Sequence, residues 1–241
     1  MELLGQKVLI TGASRGLGRS LALSLSRRGA RLALVARDRA PLEEVAATIR
    51  SHGREAHVIA ADVADKDAVA VIAGRALAAL GGLDAVVHNA STLGPVPLVP
   101  LLDTACEDLK RALMVNLVGP HRLTKALAGP MLLQGRGLIV LVSSDAAVEA
   151  YSTWGAYGAS KAALDHYGRI LAAELDGSGV RVVTVDPGEM HTRMHADAIP
   201  DADVATLASP DDVAERLASL FTVEGVRTGS RVSASSLGVA P

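Results

Sequence analysis

Lys7-Val8-Leu9-Ile10-Thr11-Gly12-Ala13-Ser14-Arg15-Gly16-Leu17-Gly18 passes from an aliphatic strand through a glycine-rich turn towards a helix. A short unbroken apolar run suits a strand buried on both faces, and the turn after it lets backbone N–H groups and a helix N-terminus meet an anion. A side chain at the glycines would hold phosphates away from that backbone. Gly12, Ser14, Arg15, Gly16, Leu17 and Gly18 are therefore candidate pyrophosphate contacts. With 23 glycines in the chain, the bare pattern is weak evidence. Its position after the first strand of a β-α-β unit is what makes it a nucleotide signal.

The same alternation of short aliphatic runs and longer amphipathic stretches continues to the end. It predicts strands over Lys7–Ile10, Arg31–Ala36, His57–Ala60, Ala85–His88, Leu138–Ser143, Arg181–Asp186 and Arg231–Ser233. Helices are predicted over Gly16–Arg28, Pro41–His52, Asp65–Leu80, Thr104–Leu133, Trp154–Leu175 and Pro210–Phe221. Gly29 suits a C-terminal cap, Pro41 a first helical turn and Ser209-Pro210-Asp211-Asp212 a capped start. The fold class is α/β: one Rossmann-type doubly wound parallel sheet of about seven strands, flanked by helices and spanning 1–241 as a single domain. Gly94-Pro95-Val96-Pro97 with Pro100 reads as a loop inside that pattern and not as a linker.

Composition narrows the partners. Of 241 residues, 49% are hydrophobic and 21% charged, with 24 Lys+Arg against 26 Asp+Glu for a net charge of -2. That balance and an aromatic content of 2% argue against a nucleic-acid surface. No apolar run approaches the ~18 residues of a membrane span. Glu2 stands where a signal peptide would be basic, and Cys106 is the only cysteine, so a reducing, cytoplasmic setting is expected.

The second strand ends at Val35-Ala36-Arg37-Asp38, roughly 20 residues beyond the turn, where an acidic residue would bind the ribose hydroxyls of NAD. Ala36 is neutral and Arg37 follows it. Arg15 and Arg37 can converge on a 2′-phosphate, which favours NADP(H), while Asp38 turned inward would serve a ribose hydroxyl instead. Further along, Tyr157 and Lys161 stand four apart at the start of a helix, on one face. An ammonium beside a phenol favours the phenolate and suits it to exchange a proton with an alcohol or carbonyl. Taken alone, such a pair is more often a surface pair than an active site.

Thr-Gly-x-x-x-Gly-x-Gly followed by Tyr-x-x-x-Lys is the paired signature of the short-chain dehydrogenase/reductase family, and the sequence resembles a classical, NADP-preferring member. Asp62-Val63, His88-Asn89-Ala90-Ser91, Asn116, Ser143-Ser144 and Asp186-Pro187-Gly188 with Thr192 extend the resemblance over essentially the whole chain. It implies reversible hydride transfer between NADP(H) and a small-molecule carbonyl/alcohol pair, with Tyr157 as general acid/base and Lys161 lowering its pKa and holding the nicotinamide ribose. Ser144 then binds the substrate carbonyl, and Asn116 holds a water beside the lysine. Asp62 and Val63 match positions at the adenine, Asn89 and Ala90 those beside the ribose, and Pro187, Gly188, Met190 and Thr192 those around the nicotinamide. A spacing of four between tyrosine and lysine resembles the carbonyl reductases and not the enoyl reductases.

Several positions depart from the family. Ser91 replaces a glycine and adds a hydroxyl beside the nicotinamide, and Ser233-Ala234-Ser235-Ser236 replaces an acidic-Gly-Gly ending used in tetramer assembly. Gly135 and Ser178 stand where relatives acting on acyl-carrier-protein thioesters present arginines, which disfavours that substrate class. Asp145, Tyr151, Trp154 and Met194 are expected to join Ser144 and Tyr157 around the substrate. His191 and His195 are four apart but lack a third ligand, so no metal site is expected. The resemblance implies a homodimer or homotetramer. A dinucleotide sensor with the same fold and little turnover is the alternative; such relatives usually lose the tyrosine or lysine, and both are present here.

Overall fold

Seven parallel strands form the centre of the protein in a computed structural model that describes residues 3–222 and 226–238. Both ends of the expected 1–241 unit, Glu2 included, lie outside the described residues. The strands are β1 (Lys7–Thr11), β2 (Arg31–Ala36), β3 (Ala56–Ala60), β4 (Ala85–His88), β5 (Gly137–Val142), β6 (Val180–Asp186) and β7 (Arg231–Ser233). They lie in the order β3-β2-β1-β4-β5-β6-β7. The order reverses between β1 and β4, whose pairing sets Leu9 opposite Val86. Such a reversal opens a crevice beyond the carboxyl ends of the strands.

The helices are α1 (Gly16–Arg27), α2 (Arg39–Ser51), α3 (Ala68–Leu80), α4 (Cys106–Leu113), α5 (Gly119–Gln134), α6 (Gly155–Glu174), α7 (Arg193–Ala198) and α8 (Pro210–Ala218). The central strands bury both faces. Leu32, Leu34 and Val8 pack towards α1, α2 and α8, while Ala33, Val35 and Leu9 pack towards α3, α5 and α6. The predicted elements recur with ends moved by up to three residues, with two exceptions. The stretch 104–133 is α4 and α5 joined by a π turn over Met114–Val118, and α7 was not foreseen. Caps behave as their chemistry dictates: Ser209 accepts from the Asp211 N–H ahead of Pro210, and Gly29 takes φ 100° just past α1.

Gly168 brings α6 down onto the sheet. A Cβ there would come within 2.7 Å of Thr184 Oγ1 and 2.8 Å of Leu141 Cδ1. That close approach holds the first turns of α6, with Tyr157 and Lys161, over the end of β5.

His88 ends β4 with its side chain in the interior. Nε2 lies 2.9 Å from Thr124 Oγ1, Nδ1 has no partner among the described residues, and burial pushes its pKa down to about 3. Below about pH 6.5 the unfolded chain takes up a proton that folded His88 refuses, so stability falls as pH drops from there towards 3. Between pH 7 and 5 the wild type is expected to lose about 2 kcal/mol more than His88→Asn in urea unfolding. Parallel losses in the two proteins would mean that His88 does not bear this linkage.

Candidate active site

A cleft of about 610 Å³ opens over the β1–β4 reversal and gathers most of the residues singled out from the sequence. Gly12, Ser14, Arg15, Gly16, Leu17, Arg37, Asp62, Val63, Asn89, Ala90, Tyr157, Lys161, Pro187, Met190, Thr192 and Met194 all line it. Gly18, Gly188, Asn116, Ser144, Asp145, Tyr151 and Trp154 do not.

The glycine turn is built for close approach, although partly for a reason the sequence did not suggest. A Cβ on Gly12, at φ 68°, would meet Asn89 Nδ2 at 2.8 Å, and one on Gly18 would strike the Gly12 carbonyl oxygen. These two glycines serve the packing of the turn against itself and Asn89. Asn89 Nδ2 in turn donates to the carbonyls of Thr11 (3.0 Å) and Gly12 (3.1 Å). At the mouth of α1, Arg15 is extended and offers no side-chain cap, which leaves the first-turn N–H groups of the helix available to an anion. The turn therefore fits the pyrophosphate of a dinucleotide.

The far end of the cleft carries charge. Arg15 Nη2 lies 3.3 Å from Asp38 Oδ2, both more than half exposed, so the carboxylate that competed for the ribose hydroxyls is engaged by one of the two candidate arginines. Exposed Arg37 lends Asp62 a through-space attraction. Asp62 accepts from Ala64 N at 2.9 Å and from Arg111 Nη2 at 2.7 Å. Desolvation works to raise the Asp62 pKa, but these hydrogen bonds and charges outweigh it and hold the group below the usual carboxylate range. Arg111, on α4, escaped the sequence reading because only tertiary structure brings it to Asp62.

At the inner end Tyr157 is 7% exposed and Lys161 2%. Lys161 Nζ donates to the Val142 carbonyl at 2.7 Å and stands 5.5 Å from the centre of the Tyr157 ring. The neighbouring ammonium was expected to lower the phenol pKa. Burial sets the direction instead: desolvation pushes Tyr157 up to about 12, with hydrogen bonding from Ser144, and more weakly Ser91, working the other way. Desolvation brings Lys161 down to about 8 against the attraction of Asp165.

Ser144 donates to Asp145 Oδ1 at 2.8 Å and accepts from Ala146 N at 3.2 Å, while Tyr151 OH donates to Asp145 Oδ2 at 2.8 Å. Desolvation of Asp145 is outweighed by these hydrogen bonds, which hold its carboxyl below the usual range. Tyr151, Trp154 and Tyr157 follow one another with ring centres 6.1 Å and 5.9 Å apart. Leu93, Leu98, Met194 and Ala198 pack with Trp154 and Tyr157 as an apolar wall. Four of the residues outside the cleft, Ser144, Asp145, Tyr151 and Trp154, thus form one rim around the phenol.

Asn116 sits in the π turn, a local widening that often marks functional positions. Its side chain is fully engaged by protein partners. Nδ2 donates to Thr92 O (2.9 Å) and Ser160 Oγ (2.8 Å), and Oδ1 accepts from Thr92 N (2.9 Å) and Ser91 Oγ (3.1 Å). Both donors and both lone pairs are used, so the side chain ties the 91–92 loop to α6. Ser91 therefore contributes a hydroxyl between Asn116 and Tyr157. Ser143 lines the cleft with a buried hydroxyl that has no partner among the described residues. Gly188 N donates to Asp186 Oδ1 at 3.0 Å, which shapes the turn leading to Thr192, and Thr192 caps α7 by accepting from His195 N at 3.2 Å. No helix is long and apolar enough to cross a membrane, and no group of three metal-ligating side chains occurs among the described residues.

Comparison with known proteins points one way. The short chain dehydrogenase family model matches residues 6–203. An uncharacterized oxidoreductase of Mycobacterium tuberculosis (strain CDC 1551 / Oshkosh) is 40% identical over 186 residues, covering 76% of this chain and 69% of the relative. A chain from Shigella flexneri 2a str. 301, provisionally assigned as a short chain dehydrogenase and complexed with NADP, superposes with a TM-score of 0.90 at 30% identity over 97% of this chain and 99% of that one. An NAD+-bound xylitol dehydrogenase reaches 0.87 at 25% identity, over 97% and 98% of the two chains.

Proposed function

Since the chain belongs to the short-chain dehydrogenase family and is an oxidoreductase of that type, we propose that it interconverts a ketone or aldehyde and the corresponding alcohol with NADP(H), using Tyr157 as general acid/base. The observation that carries this reading is a buried phenol facing Ser144, with Lys161 one helical turn away, at the inner end of a cleft that begins at the glycine turn before α1.

When bound, the nicotinamide supplies or accepts the hydride. The chain's own residues do the rest. Gly16 and its neighbours hold the pyrophosphate, and Arg15 and Arg37 attract a 2′-phosphate. Tyr157 donates its proton to the carbonyl oxygen during reduction and recovers it during oxidation. Ser144 turns its hydroxyl from Asp145 to that oxygen and stabilises the negative charge developing there. Lys161, held by the Val142 carbonyl, sets the local charge and reaches the nicotinamide ribose. The wall of Leu93, Leu98, Trp154 and Met194 favours an uncharged, apolar group on the substrate. In this reading the enzyme is a cytoplasmic homo-oligomer.

The test pairs binding with turnover. NADPH and NADH are titrated separately by fluorescence of the bound nicotinamide, and the protein is then assayed on a panel of ketones and aldehydes. Tighter NADPH binding with turnover of at least one apolar carbonyl is expected. Binding without turnover across the panel would favour a sensor, and tighter NADH binding would overturn the NADP assignment.

A further inference from the structure

Arg231 is the first residue of β7, far in sequence from Tyr157 and Lys161. Its Nε donates to Asp165 Oδ2 at 2.8 Å, and its Nη2 donates to the Ser144 carbonyl at 2.8 Å and to Asp186 Oδ2 at 3.0 Å. These acceptors sit on α6, just after β5 and at the end of β6. The planar guanidinium can satisfy all of them at once, whereas a lysine ammonium at the same site presents one point charge. Asp165 lies one helical turn beyond Lys161, is 6% exposed, and keeps its Oδ1 buried without a partner among the described residues. Asp186 holds the Gly188 turn with its other oxygen.

Building on the oxidoreductase reading, we propose that Arg231 is a positioning residue of the active site: it pins the Ser144 backbone to α6 and β6 and supplies the counter-charge to the two carboxylates that flank Tyr157 and Lys161. The charged groups around the acid/base pair are Asp165 on α6, Asp186 on β6, Asp145 just after β5 and Arg231 on β7. Asp165 favours the Lys161 ammonium, and Asp145 and Asp186 disfavour the Tyr157 phenolate. Each effect makes the pair hold its proton more tightly. Arg231 opposes them at Asp165 and Asp186, while Asp145 is left to Tyr151 and Ser144.

The decisive measurement needs no substrate. Protein labelled with 13C-lysine is titrated by NMR, with the Lys161 signal assigned by its loss in Lys161→Ala. Arg231→Gln is expected to raise the Lys161 midpoint by about one pH unit, because Asp165 and Asp186 are then uncompensated at short range. Arg231→Lys, which keeps the charge, should stay near the wild-type midpoint, and Asp165→Asn should lower it. On any carbonyl that the panel identifies, Arg231→Gln and Arg231→Lys are both expected to lose about tenfold in kcat with KM and NADPH affinity within about threefold, since neither variant spans all three acceptors. An unchanged Lys161 midpoint in folded Arg231→Gln overturns the proposal. Should that variant fail to fold, an unchanged midpoint in Asp165→Asn overturns it equally. Absence of turnover in the wild type would refute the proposed reaction while the NMR shift still decides the role of Arg231.

Discussion

Tyr157→Phe is expected to reduce turnover at least about a thousandfold while leaving NADPH affinity within about threefold of the wild type. The substitution removes one hydroxyl and keeps the ring, so the edge contact with Trp154 and the packing against Leu93 and Met194 persist. Only the transferable proton is lost. A phenol pushed up to about 12 stays protonated across the neutral range and is ready to act as an acid, so reduction should vary little between about pH 6 and 8. Oxidation needs the phenolate and should therefore accelerate as pH rises. Lys161 adds a second ionisation near 8, above which its ammonium charge is withdrawn from the site. The two groups titrate as a pair, and the profile reports the pair. Single-turnover rates with NADPH across this range, alongside NADPH titration of both proteins, check the expectation. Near wild-type turnover in the phenylalanine variant would remove Tyr157 from the acid/base role.

The parts of this site that could be read from the sequence are those set by local spacing. Tyr157 and Lys161 share a helix face because they are four apart, and Gly12 to Gly18 form a turn because strand, glycines and helix are contiguous. The strands were legible for a related reason: Leu32-Ala33-Leu34-Val35 is apolar at every position because both faces are covered, and all four residues are fully buried. Long-range pairing was not legible. Arg231 meets partners that lie 45 to 87 residues away, and nothing in Thr228-Gly229-Ser230-Arg231 announces them. The π turn was hidden because one extra residue in a helix hardly alters an apolar pattern that continues on both sides. Six-residue α7 is too short for periodicity to register, although Thr192 ahead of it is an ordinary capping residue. The pKa of Tyr157 shows a further limit: sequence places an ammonium nearby, whereas burial, a property of the folded whole, decides the direction of the shift.

Coenzyme choice carries the second large effect. Arg37→Ala is expected to weaken NADPH by about ten- to a hundredfold and NADH by less than about threefold, the loss of roughly 1.5–3 kcal/mol for a charge-assisted hydrogen bond that only the phosphorylated coenzyme makes. The structure makes Arg37 the better choice of the two arginines for this test. Arg15 already faces Asp38 at 3.3 Å, so removing it does two things at once: it deletes one of the two arginines proposed to attract the phosphate and frees a carboxylate to repel the phosphate or accept from a ribose hydroxyl. Arg15→Ala should therefore lose NADPH affinity and gain some for NADH, whereas Arg37→Ala should show the loss alone. Both arginines are exposed, so their contribution is screened by salt, and the preference for NADPH over NADH should shrink as ionic strength rises from about 0.01 M to 1 M. Fluorescence titrations of the wild type and both variants with each coenzyme, at low and high salt, separate these effects. Equal weakening of NADPH and NADH by Arg37→Ala would assign the phosphate to Arg15 alone or return the ribose site to Asp38, and a preference indifferent to salt would mean that exposed charge does not set it.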